Sequence, residues 1–265
     1  MTKAWDLAPR ITLRQDIVPR FPRTTLKAGL GVFAQPPQPI ETTPFFGPIG
    51  LLSNKSVHCD LGFEQEVSHD VDLSVDAFYK SFEDQVVAGS GNSGTGFAYG
   101  VEWFLRYKPD AHFFGWLSYT MSRSERRDGP GQPLYLFPFD QTHVFTLLGS
   151  YKLGRGWQLG ARFRAVSGNP YTPTSEGAYD ASSGSQLGVL GFPPNTARLP
   201  PFLALDARVD KTWSFRSWKL NLYFDIQNVT NASNVEGINY NYNYTKAMPV
   251  NGLPILPISG VRAEF

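Results

Sequence analysis

Several groupings in the sequence could do chemistry, and each requires a particular setting. Gly89-Ser-Gly-Asn-Ser-Gly94 fits the G-x-G-x-x-G spacing of dinucleotide-binding turns. That chemistry needs a helix N-terminus after the glycines to hold a pyrophosphate. Alternating strand residues follow instead, so the segment Ala88 to Gly96 reads as a Gly- and Ser-rich loop. The four histidines, His58, His69, His112 and His143, lie on different segments without metal-ligand spacing. His143 stands close in sequence to Asp140, at a strand's upper end where the pair could touch a ligand. Serine, histidine and aspartate are present, but no strained serine turn or oxyanion arrangement accompanies them. The single cysteine, Cys59, rules out an internal disulfide framework and a multi-cysteine metal site. No catalytic, cofactor-binding or metal-binding residue is assigned, and no cofactor is expected.

The elements that must position these residues are strands. The clearest stretch is Phe202 to Asn231, FLALDARVDKTWSFRSWKLNLYFDIQNVTN. Leu203, Leu205, Ala207 and Val209 alternate with Ala204, Asp206, Arg208 and Asp210; after a short link, Leu220, Leu222, Phe224 and Ile226 alternate with Asn221, Tyr223, Asp225 and Gln227. That pattern is a β-hairpin with one apolar and one polar face. The same period places strands near Pro9–Gln15, Thr24–Phe33, Val57–Val67, Val71–Lys80, Phe97–Tyr107, His112–Ser122, Phe145–Tyr151, Trp157–Ala165 and Leu256–Phe265. His112–Ser122 is aromatic on both parities, so its orientation is not fixed by the pattern. Cys59 falls on an apolar parity. The polar parity carries Asp60, Glu64, Glu66, Asp72, Asp76, Arg162, Arg164, Asp206, Arg208, Asp210 and Asp225, a mixed set of charges suited to a wet lumen and a domain seated in it.

The chain has 265 residues, a formal net charge of +1 and 42% hydrophobic residues, with a mean hydropathy of -0.25. The charge gives no reason to expect a nucleic-acid partner through bulk electrostatics. No apolar run is long enough for a helical membrane span, and the first ten residues lack the apolar core of a signal peptide. Connections are expected to alternate without exception: short ones near 19–23, 68–70, 108–111, 154–156 and 214–217, and long ones of about ten to about thirty residues between them. Five prolines in the segment 35–54 forbid regular pairing there. Tyr107, Tyr151, Trp157, Trp213 and Trp218 all stand beside short turns and all on the apolar parity. Agreement in both depth and face is the layout of an aromatic girdle on an antiparallel transmembrane β-barrel. The rival readings are a soluble β-rich binding domain, a membrane-barrel enzyme with its site at the rim, and a porin.

Sequence motifs then point to a family. FDIQNVTNAS at Phe224 to Ser233, SYTMSRSERRD at Ser118 to Asp128 and FDQTHVFTLLGSYKL at Phe139 to Leu153 resemble the C-terminal barrel of TonB-dependent receptors. ARFRAVSGNPYTP at Ala161 to Pro173, TTLKAGLGVFAQPPQP at Thr24 to Pro39 and the terminal Phe265 are similar to the same family, with Ser259 a departure from the apolar parity of the last strand. The resemblance implies an outer-membrane receptor that imports a siderophore, cobalamin, haem or an oligosaccharide with energy delivered by TonB, and it implies no enzyme activity. It also implies a plug domain inside a barrel of about twenty-two strands. About eleven are legible over residues 1–265, so the chain is expected to be the C-terminal part of such a barrel, without plug or signal peptide: a gene fragment, a mis-started gene or one piece of a split protein. Alone it would be a curved sheet with two open edges, prone to aggregation, and a non-functional fragment is one expected outcome. Expected partners are outer-membrane lipid, the plug and missing strands, TonB through the missing N-terminal part, and an unidentified small molecule. Asn239-Tyr-Asn-Tyr-Asn-Tyr244 has groups that could stack on and hydrogen-bond a sugar or siderophore, and it equally has ordinary loop composition.

Overall fold

In a computed structural model, which describes residues 5–43 and 50–265, the period-two alternation resolves into one antiparallel sheet. The strands in chain order are β1 (Arg10–Val18), β2 (Thr24–Gln35), β3 (Asn54–Glu66), β4 (Val71–Val87), β5 (Gly91–Tyr107), β6 (Phe113–Arg127), β7 (Tyr135–Leu136), β8 (His143–Gly154) and β9 (Trp157–Val166). They continue with β10 (Pro170–Tyr171), β11 (Thr174–Asp180), β12 (Ser185–Leu190), β13 (Ala197–Arg198), β14 (Phe202–Ser214), β15 (Lys219–Gln227), β16 (Val235–Tyr240), β17 (Ala247–Asn251) and β18 (Leu256–Glu264). The sheet path is β1-β2-β3-β4-β5-β6-β8-β9-β14-β15-β18, with β7 paired beside β6. The path holds eleven strands, the number the alternation predicts.

Register decides which residues share a face, because directly opposed residues project to the same side. Leu61 stands opposite Ala28 and Ala77, Val75 opposite Trp103, Leu147 opposite Leu117 and Phe163, and Val209 opposite Leu159 and Phe224. One apolar face therefore crosses the whole sheet. Cys59 lies on it between Leu30 and Tyr79. Pairing also orients β6: Leu117 and Tyr119 oppose Leu105 and Trp103 on the apolar face, leaving Phe114 and Trp116 on the polar one. Trp116 packs there on Phe104 at 5.8 Å, which is why aromatics on both parities obscured the pattern.

The soluble two-layer reading fails on this sheet. Among the described residues no second sheet covers the apolar face; the other pairings are the short ribbons β10–β13, β11–β12 and β16–β17 within the long connections. Leu30, Leu61 and Val261 stay 53%, 62% and 67% exposed, and the buried hydrophobic residues are Leu51, Val166, Leu199 and Ala204 alone among those described. Apolar surface on this scale far exceeds the few hundred Å² that soluble monomers leave open. An open apolar face on a sheet whose interior strands pair on both sides is the arrangement a lipid-facing barrel wall requires.

Two expectations about connections need correction. The segment Ala88 to Gly96 is not a long loop: β4 and β5 are separated by residues 88–90 alone, so the alternation of short and long connections breaks there. The glycines serve close strand approach as well as a turn. A Cβ on Gly94 would come within 2.9 Å of Gln85 and Val87, while Gly89 and Gly91 take φ of 75° and 68° at the tip. The connections after β9 and β15 are long but carry their own ribbons. Part of the proline-rich segment, residues 44–49, and the first four residues lie outside the described residues.

The short turns, residues 19–23, 67–70, 108–112, 155–156 and 215–218, gather at one rim. The aromatic residues expected beside them stand there, with Phe215 stacked on Trp218 at 4.4 Å and Trp218 on Phe265 at 6.0 Å. The native thiol tests the assignment of faces. In membranes Cys59 should resist a charged maleimide, whereas Asp60→Cys in a Cys59→Ser background should react at least tenfold faster in a labelling time course. Equal rates would contradict the parity.

Candidate functional site

The polar face and the loop rim above it are the surfaces able to meet a ligand or a seated domain. Charges on the polar face mostly satisfy one another across the strands. Arg162 Nε and Nη2 donate to Asp206 Oδ2 at 2.9 and 2.6 Å, a pair that strand register places opposite one another. Arg208 donates to both Asp210 oxygens at 2.8 Å and lies 4.1 Å from the Tyr223 ring. On the other half of the sheet, Lys27 reaches Asp76 at 2.8 Å and Glu64 at 3.4 Å, Arg14 closes on Glu64, and Arg106 holds Asp72 at 2.7 Å. Asp60, Glu102 and Arg164 form no ion pair among the described residues. Arg164 instead lies 5.3 Å from the Phe202 ring, in a cleft at the loop rim that Gln141, Asn169 and Glu236 also line.

Asparagines hold the rim loops to this wall. Asn228 and Asn231 take φ of 52° and 48°, a left-handed conformation asparagine tolerates better than most residues. The Asn228 amide N–H donates to Asp206 Oδ1 at 2.9 Å, so one carboxylate holds both Arg162 and the start of the loop. Asn228 Oδ1 accepts from the Ala232 N–H at 2.9 Å, and Asn231 Oδ1 accepts from the Ile255 N–H at 3.0 Å. Asn234, buried, mimics a strand by exchanging both hydrogen bonds with the Leu203 backbone at 2.8 and 2.9 Å. The FDIQNVTNAS motif is therefore a clasp for the last long connection. Its side chains are used on the protein's own backbone.

A second clasp joins two other loops. Arg198 of β13 donates to Asp140 O at 2.7 Å, Gly168 O at 3.1 Å and Thr142 Oγ1 at 3.0 Å, and pairs with the Asp140 carboxylate. Asp140 is 2% exposed, and its other oxygen accepts from the Ser124 N–H at 2.6 Å. Composition gave no sign of this pair, since its members are far apart in sequence. It also redirects Asp140 away from His143, which faces the apolar side and shares a 2.8 Å hydrogen bond with Tyr119 Oη. His143 and Asp140 thus turn to different partners and do not form one ligand-facing pair. All four histidines pack on aromatic rings: His58 on Phe33, His69 on Phe21, His112 by Tyr151 and His143 on Tyr119. No group of metal-ligating residues assembles among the described residues.

The Asn/Tyr run is largely structural. Tyr240 Oη accepts from the Thr174 N–H at 3.1 Å, Asn241 Oδ1 accepts from the Lys246 N–H at 2.9 Å, and Tyr244 packs where a Cβ on Gly188 would collide with it. Tyr242 alone of these rings projects freely, at 71% exposed.

Residues 3–229 match the family described as TonB dependent receptor-like, beta-barrel. The chain belongs to that family. No curated protein matches the sequence. Among solved structures, the unliganded ferric citrate transporter FecA superposes with a TM-score of 0.68 at 18% identity, over 97% of this chain and 38% of its own. The ferric yersiniabactin uptake receptor FyuA from Yersinia pestis gives 0.65 at 15%, over 97% and 37%. The FrpB iron transporter from Neisseria meningitidis (F3-3 variant) gives 0.63 at 15%, over 98% and 39%. These likenesses show the fold, and the chain spans less than two-fifths of each structure. The family is one of receptor-like β-barrels and these neighbours are described as transporters and an uptake receptor, not as enzymes.

Two outcomes follow for the rim. Arg198→Ala leaves Asp140 buried without its cation, a loss of about 3–5 kcal/mol; limited proteolysis within residues 167–201 should accelerate at least tenfold while the sheet's circular dichroism persists. Asp180, at the tip between β11 and β12, is held down to about 2 by hydrogen bonds from Ser182 and Ser183. Its folded value lies below its ordinary 3.8, so the tip's order is present above pH 4 and is lost as pH falls towards 2. Faster hydrogen exchange at Ser182 and Gly184 in that window would show it, and Asp180→Asn should remove the transition.

Proposed function

We propose that residues 1–265 form the C-terminal part of the barrel of an outer-membrane receptor importing a ferric chelate with energy supplied through TonB. The observation that carries the reading is the family match over residues 3–229 on a sheet whose apolar face is open across its full width. Strand direction supports the partial-barrel reading. Eleven successive antiparallel strands make β1 and β18 run the same way, so closure requires an odd number of further strands between them. Two copies rotated about a common axis would not close an all-antiparallel barrel, because β1 of one would meet β18 of the other in parallel.

Asp60, Glu102 and Arg164 are among the polar-face charges that form no ion pair among the described residues, and they are groups a plug domain would engage in the lumen. The ferric cargo rests on the solved neighbours, described as handling ferric citrate and ferric yersiniabactin. The test is uptake of iron-loaded chelates by a strain lacking the gene, by the complemented strain and by one lacking TonB. Loss of uptake in the first and third, restored in the second, is expected. Unchanged iron uptake in all three would overturn the reading.

A further inference from the structure

The short-turn rim carries a charge pattern that neither the sheet nor the lumen uses. Residues 151–158 and 211–219 include Lys152, Arg155, Lys211, Arg216 and Lys219 and no carboxylate. Pairing of β9 with β14 sets these segments side by side. Trp157 stands opposite Lys211, and the Thr212 N–H donates to Gly156 O at 2.7 Å. Lys211 projects on the apolar face, its ammonium 5.0 Å from the Trp157 ring and 5.5 Å from the Trp213 ring, and it donates to the Arg155 carbonyl. Arg155 and Arg216 occupy the tips of the two adjacent turns. Among the described residues none of the five cations meets a carboxylate, whereas elsewhere on this rim Arg23 and Lys108 share Glu66 and Lys108 reaches Asp72 at 3.1 Å.

We propose that this patch binds the anionic headgroups of phospholipids in the leaflet at the short-turn rim, with Arg155, Lys211 and Arg216 on the phosphodiester and Trp157, Trp213 and Trp218 at the acyl boundary. Exposed indoles beside unpaired cations fit a ligand with an anionic head on an apolar body. A nucleic acid or an acidic protein would leave Trp157 and Trp213, 45% and 39% exposed on the lipid face, without a role. The neutral balance of the whole chain hides the patch, because the nearest carboxylates are taken by other cations: Asp210 of β14 by Arg208, and Glu264, across from Lys219, by Arg262.

The inference rests on the membrane reading, and the experiment separates the two. The full gene product, in neutral detergent, is titrated with phosphatidylglycerol, phosphatidylcholine and glycerol phosphate while tryptophan fluorescence is followed. Phosphatidylglycerol is expected to bind roughly tenfold or more tightly than phosphatidylcholine, with the preference fading at high salt. The Arg155→Gln/Lys211→Gln/Arg216→Gln protein should bind both lipids alike. If that protein fails to fold, Arg155→Lys/Arg216→Lys must keep the preference and its salt dependence. Equal binding of the two lipids by the unaltered protein, or a preference that survives the triple change, would overturn the proposal. Competition by glycerol phosphate at equal concentration would do the same, by assigning the site to free phosphate. Failure to take up either lipid or detergent would instead remove the membrane reading beneath it.

Discussion

Backbone pairing in strict register is the constraint on which everything else depends. Because successive side chains alternate faces, a one-residue slip anywhere would move Leu61, Leu147 or Val209 into the lumen and bring Asp60, Arg162 or Asp206 into lipid. The cost of a charge at mid-membrane, about 2–4 kcal/mol for a lysine or arginine, makes such slips self-penalising. The cross-strand ion pairs add geometry to that rule. Arg162 meets Asp206 only when β9 and β14 are aligned as they are.

The same alignment supports the rim. Asp206 binds Arg162 through one oxygen and the Asn228 backbone through the other, so the wall and the last long connection are anchored on a single carboxylate. Arg198 and Asp140 do the equivalent for the connections after β6 and β9, with three backbone or hydroxyl oxygens completing the guanidinium's partners. Rigid strands thus present loops whose bases are fixed and whose tips, such as Tyr242, stay open to solvent.

Sequence alternation made most of the sheet legible: eleven strands, both faces and the girdle at the short turns. It failed where a local signal has two physical uses. Glycines 89–94 read as flexibility, yet they allow β4 and β5 to approach closely beyond the turn. Aromatics on both parities of β6 hid its orientation until Trp116 found Phe104 across the polar face. Asp140 looked like a neighbour of His143 because both lie close in the chain, but Arg198 and the Ser124 N–H hold Asp140 while His143 turns to Tyr119. The asparagine-rich motif near Asn228 announced the family before its job was visible, since hydrogen bonds to distant backbone leave no periodic trace.

The most direct measurement is hydrogen exchange at the amides of β1 and β18 in the full gene product embedded in membrane. Both strands pair on one side only within residues 1–265, among those described. Protection along both to the level of β8 and β9 is expected, because further antiparallel strands would take up the free edge groups. Exchange of either edge at the rate of the surface loops would contradict a closed barrel built on this sheet.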